Sequence, residues 1–121
     1  MDGRPISNAM LKLETIAVMV RDEKKAAKWW KENFGFRIVT SWAHWYTVAP
    51  KGARTRIHLC IDGLPEKGNT GFLFATKDIR RELARLRKKG VKISKPLEKS
   101  DWGTTFMFAD PDGNEFWVIE E

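Results

Sequence analysis

One pattern of punctuation occurs twice in this chain, and the repetition restricts its fold more than any single motif does. A short β-branched run from Leu13 to Val20 stops at Arg21-Asp22, and an aspartate at that point can accept hydrogen bonds from the free N–H groups that open a helix. From Glu23 to Phe34 the residues Ala26, Trp30 and Phe34 fall four apart with Ala27 beside them, while Lys24, Lys28 and Lys31 take the other side. That is the period of an amphipathic helix. Gly35 supplies the permissive residue that ends it. The same order returns: an apolar run Phe72 to Thr76, Asp78 as a cap, Ile79, Leu83 and Leu86 at helical spacing, and Gly90 as the stop. Asp22 and Asp78 stand 56 positions apart, which points to an internal duplication.

Strand-like runs follow each helix. In the first half they are Phe36 to Ser41, Trp45 to Ala49 after a turn around Ala43, and Arg54 to Ile61 after Pro50-Lys51-Gly52. In the second they are Val91 to Ser94, Thr104 to Ala109, and Glu115 to Glu120 after the turn Asp110-Pro111-Asp112-Gly113-Asn114. Each half therefore reads β-α-β-β-β, and the fold class is α+β with a cupped mixed sheet. The expected division is a disordered leader or artificial extension over residues 1–10 and one domain over 11–121. Within that domain lie module one (11–61), a polar linker (62–69) and module two (70–121). One helix covers only one face of such a sheet. The uncovered faces are expected to line a shared concave space, the place to look for binding or chemistry.

At 121 residues the chain has the size of one domain. Its 22 Lys and Arg outnumber 16 Asp and Glu, so affinity for polyanions has to be considered. The densest basic run, Arg80 to Lys89, lies on the second helix mixed with acid and apolar residues, as on a solvated face, and nucleic acid is not an expected partner. No apolar stretch reaches the ~20 residues needed to span a membrane. The single cysteine, Cys60, rules out an internal disulfide, and a cytoplasmic location is expected.

The order of elements, with Val20-Arg21-Asp22, Asn33-Phe34-Gly35-Phe36 and above all Phe108-Ala109-Asp110-Pro111-Asp112-Gly113-Asn114-Glu115-Phe116, resembles the vicinal oxygen chelate superfamily. That group includes glyoxalase I, extradiol dioxygenases, fosfomycin-resistance enzymes and bleomycin-resistance binding proteins. The likeness spans Leu11 to Glu121, and Trp45 to Pro50 with Arg54 to Leu59 resembles a common branch of it. It implies a cup where metal-using members hold a divalent ion on four strands through His, Gln or Glu. Carried over residue by residue, those ligand positions fall on Thr15, His58, Gly71 and Trp117. Only His58 is an ordinary ligand for a transition metal, whereas a catalytic site needs about three protein ligands. No cofactor is therefore expected. The alternative is an atypical site for Zn, Ni, Mn or Fe on His58, for which a grouping of His44 and His58 with Glu115 is conceivable.

Without the metal, Trp117 projects a flat ring where a ligand would stand, and it serves either as core filling or as a stacking wall. Trp45, Trp102 and Phe106 are candidates for the same wall, and Thr15, His58 and Glu115 for its polar contacts. His58 is either bonded to a neighbouring backbone group or in contact with a bound molecule, and is the candidate catalytic residue if a reaction occurs. Cys60 reads as a small buried apolar residue. Trp29 and Trp30 cannot both face the core from one helix, so one is partly exposed or lies at a subunit contact. The expected function is binding of an apolar or aromatic organic molecule by a protein of this fold, as a homodimer. The alternative is a glyoxalase-like lyase, isomerase or dioxygenase with an atypical metal site.

Overall fold

Strand pairing follows the duplication in a computed structural model that describes residues 10–65 and 67–121. The expected leader lies, apart from Met10, outside the described residues. Module one runs β1 (Thr15–Met19), α1 (Glu23–Phe34), β2 (Arg37–Trp42), β3 (Trp45–Ala49) and β4 (Arg56–Cys60). Module two runs β5 (Asn69–Thr76), α2 (Ile79–Lys88), β6 (Lys92–Ser100), β7 (Gly103–Ala109) and β8 (Glu115–Glu120). Each module forms a four-stranded mixed sheet, ordered β1-β4-β3-β2 and β5-β8-β7-β6. The first strand of each runs parallel to the last, and the other pairs are antiparallel. The fold is α+β and built from two equivalent βαβββ units.

Both helices begin as the sequence dictates. Asp22 accepts from the Lys25 N–H at 3.0 Å and Asp78 from the Arg81 N–H at 3.1 Å, each satisfying one orphan donor of a first turn. Gly35 closes α1 in the left-handed region at φ 68°. The strands differ from expectation mainly at their ends. β1 starts at Thr15 rather than Leu13, β5 starts three residues early at Asn69, and β6 runs on to Ser100 through Pro96. β6 is an edge strand, where a residue without an N–H is tolerated.

The helix-covered faces of both sheets share one core. Val18, Val48, Ile57 and Leu59 from the first sheet meet Phe106, Phe108, Phe116 and Val118 from the second, with Trp30, Ile79, Leu83 and Leu86 from the helices between them. Trp30 is fully buried, its ring 5.0 Å from Phe116 and 5.2 Å from Phe36. Trp29 is half-buried and meets Trp30 edge-on at 5.0 Å, so the pair divides between core and surface. Among the described residues no helix is long and apolar enough to cross a membrane.

Candidate functional site: two open sheet faces

Alternation along each strand decides which side chains leave the core. On β4, Ile57 and Leu59 point to the helix side, which sends Arg56, His58 and Cys60 to the opposite, open face. His58 pairs with Ala17 of β1 on one side and Thr47 of β3 on the other. Thr15 shares that face but pairs with Arg56, one pleat away from His58. Cys60, as expected, is buried.

The His58 ring is half-buried and held in place. Its Nε2 lies 3.2 Å from the carbonyl oxygen of His44, which can only accept, so Nε2 carries the proton and Nδ1 is the lone-pair nitrogen of the neutral ring. His44 sits in the β2–β3 turn at φ 65°, and its N–H donates to the Glu23 carboxylate at 3.2 Å. The Trp45 ring lies against His58 at 4.6 Å between centroids. Thr40 and Thr47 complete this corner, their hydroxyls 2.8 Å apart. The Thr40 hydroxyl donates to the Trp45 carbonyl at 2.7 Å, so Thr47 is the donor between the two hydroxyls.

The open face of the second sheet is built in the same way. Phe116 and Val118 enter the core, sending Glu115, Trp117 and Ile119 outward. Trp117 is half-buried and pairs with Leu73 and Met107. The Trp102 ring approaches it edge-on at 5.7 Å, and the Lys95 ammonium stands 5.1 Å from its centroid, a cation–π distance. Trp102 remains 58% exposed.

One predicted lining residue is wrong. Phe106 is fully buried and pairs with Val118 in the core; the position beside Trp117 belongs to Met107. A strand has a period of two, so Phe106 must share the face of Phe108, already in the core. The residues that pair directly with His58 and Trp117 are Ala17 and Leu73, with Thr15 and Gly71 two residues earlier on the same strands. In β5 a register shift falls between Asn69 and Leu73, with Gly71 at φ 80°.

The structure therefore joins Trp45 to His58 and Trp102 to Trp117, but places the two pairs on separate sheets. None of the described cavities includes either pair. Glu115 lies on the other sheet from His44 and His58, and among the described residues no three His, Cys, Asp or Glu side chains converge. A divalent ion of the kind the resemblance implies would meet one imidazole with Thr15, Ala17 and Thr47 on one sheet. On the other it would meet an indole with Gly71, Leu73 and Met107. These residues do not fit it. Sequence reading missed Lys95, Thr40 and Thr47. Period-two alternation from Phe106 and Phe108 was the signal that would have found Met107.

A family model described as the Glyoxalase/Bleomycin resistance protein/Dioxygenase superfamily matches residues 12–118. The uncharacterized protein YetH of Bacillus subtilis (strain 168) is 33% identical over 114 residues, covering 88% of this chain and 95% of that protein. The crystal structure of a superfamily member from Sphaerobacter thermophilus DSM 20745 superposes with a TM-score of 0.82 at 29% identity, covering 93% of this chain and 98% of that one. TnmS3, an antibiotic binding protein from Streptomyces sp. CB03234, superposes with a TM-score of 0.81 at 32% identity, over 93% of this chain and 97% of its own.

Proposed function

The chain belongs to the Glyoxalase/Bleomycin resistance protein/Dioxygenase superfamily, its match running over residues 12–118, and from that premise we propose that it binds a small, flat organic molecule on the open faces of its sheets. One observation carries the reading: on each open face an aromatic ring stands against the residue at an implied ligand position. Trp45 backs His58 on one face, and Trp102 with Lys95 flanks Trp117 on the other.

Each indole presents a π face to a flat ring at about 1 kcal/mol beyond area burial. Lys95 on one face adds a donor, and the Nδ1 of His58 on the other an acceptor. TnmS3, 32% identical, is an antibiotic binding protein, which supports an organic ligand. The reading includes a homodimer, since Trp42, Trp102 and Leu73 leave large apolar surface in water, and a reducing cytoplasmic setting suited to the free, buried Cys60.

Tryptophan fluorescence titrated with a panel of aromatic compounds tests it. At least one compound is expected to quench with saturation, and Trp117→Ala and Trp45→Ala to weaken that response at least fivefold, about 1 kcal/mol. Unchanged responses in both variants would sink the reading. Dialysed protein that retains about one equivalent of Zn²⁺, Ni²⁺, Mn²⁺ or Fe²⁺, and loses it on His58→Ala, would replace it with an atypical metal enzyme.

A further inference from the structure

The largest of the described cavities, about 490 Å³, includes neither ring pair, although Arg56 and Leu73, which leave their strands on the open faces, reach its rim. It lies at the seam between the modules, where the β1 and β4 end of one sheet faces the β5 edge of the other. Ile16 and Ile57, paired across β1 and β4, line it from one side, and Phe72 and Phe74 of β5 from the other. All four belong to the helix side of their strands, opposite His58 and Trp117. Phe74 rests against Phe36 at 5.9 Å and Phe72 against Phe116 at 5.5 Å, so the aromatic wall is fixed by the core behind it. At the rim, Ile16 is 41% and Leu73 56% exposed.

The polar groups of this cavity are nearly all spent. The Thr55 hydroxyl gives its proton to the Leu13 carbonyl at 2.9 Å and the Thr70 hydroxyl to the Glu115 carbonyl at 2.8 Å, so both can offer only lone pairs. The backbone N–H of Gly71 is taken by the Asn69 side chain and that of Phe72 by the Thr70 hydroxyl. Arg56 is the one charged side chain lining the cavity among the described residues. Among the described residues its ion-pair partner is Glu14 at 3.5 Å, whose side chain is mostly exposed, and such a pair is weak enough to exchange.

We propose that this inter-module seam is a second binding site, for an organic acid with an apolar body: the body occupies the Ile16–Phe74 cavity and the carboxylate replaces Glu14 on Arg56. The volume suits a small ligand. The one mobile donor is a guanidinium, whose planar fork matches a carboxylate.

Decanoate and its uncharged twin decan-1-ol, titrated into the full chain by calorimetry, separate this site from the open faces because neither probe is aromatic. Decanoate is expected to bind at one equivalent per chain and more tightly than the alcohol. Arg56→Gln is expected to weaken decanoate about tenfold, the loss of one charged hydrogen bond, and to leave decan-1-ol unchanged. Ile16→Trp, filling the cavity from its rim, is expected to abolish both, and Trp117→Ala to change neither. The proposal is overturned if decanoate fails to saturate the wild-type chain, or if Arg56→Gln and Ile16→Trp bind it normally. Loss of binding in Trp117→Ala would overturn it too, by moving the acid to the open face.

Discussion

Asp110 shows how burial and hydrogen bonding compete at one side chain. It opens the β7–β8 turn, is buried, and accepts three hydrogen bonds, from the N–H groups of Asp112 and Asn114 at 3.0 and 2.9 Å and from the Asn114 amide at 2.9 Å. Desolvation nonetheless wins, and its carboxyl is pushed above the usual range against those bonds, with the nearby Asp112 charge adding to the rise. A carboxyl that holds its proton more tightly folded than unfolded makes the folded chain bind more protons between the two pKa values, so its contribution to stability declines as pH rises through that window. Urea unfolding of the wild type and Asp110→Asn from about pH 3.5 to 6 is expected to show the wild-type advantage shrinking with pH and then levelling. An advantage that grows would mean the hydrogen bonds outweigh burial. The same contest between neighbours limits what single residues reveal in sequence. His58 was legible as a polar residue on a strand and its backbone bond was one of the stated alternatives. Ala17 became its neighbour, and Leu73 and Met107 those of Trp117, only through cross-strand register, which no run of residues prints.

Elements were the most legible scale, because their signals are local. Asp22, Gly35 and Asp78 announce helix ends through their own chemistry, and α1 spans the expected residues. Removing a cap tests the cause directly. Asp22→Ala is expected to cost about 1 kcal/mol, read as a lower urea midpoint at unchanged slope, and Asp78→Ala a similar amount. A loss below a few tenths would mean water replaces the cap freely. Strand ends were less legible for the opposite reason. β6 continues past Ser94 because pairing with β7 decides its length, with register shifts absorbed between Ile93 and Glu98. The irregularity near Gly71 is likewise a property of the β5–β8 pair.

At the scale of the whole molecule the duplication predicts two similar modules but not what joins them. The joint is aromatic and asymmetric. Trp30 of α1 enters module two, its ring 5.0 Å from Phe116, 5.9 Å from Phe108 and 6.0 Å from Phe74. The Asn114 amide of the β7–β8 turn donates back to the Met19 carbonyl of β1 at 2.8 Å, and Lys89 of α2 donates to the Glu32 carbonyl of α1 at 2.9 Å. Neither module can then bury its helix-covered face alone, and the chain should unfold in one transition. Trp30→Ala removes the largest shared side chain and is expected to cost about 3–5 kcal/mol. The Trp30 indole N–H, without a hydrogen-bond partner among the described residues, trims that figure, since an unsatisfied buried donor disappears with the ring. Calorimetry discriminates the joint from mere packing. If Trp30 is the joint, its loss lowers a single thermal transition for the whole chain, and Asn114→Ala lowers the same transition by less. If the modules instead hold together through the strand edges at the seam, Trp30→Ala splits the trace, with module two melting near the wild-type temperature. The first outcome is expected, because the aromatic contacts of Trp30 reach β5, β7 and β8 together, and among the described residues the strands of the two sheets share no hydrogen-bonded ladder.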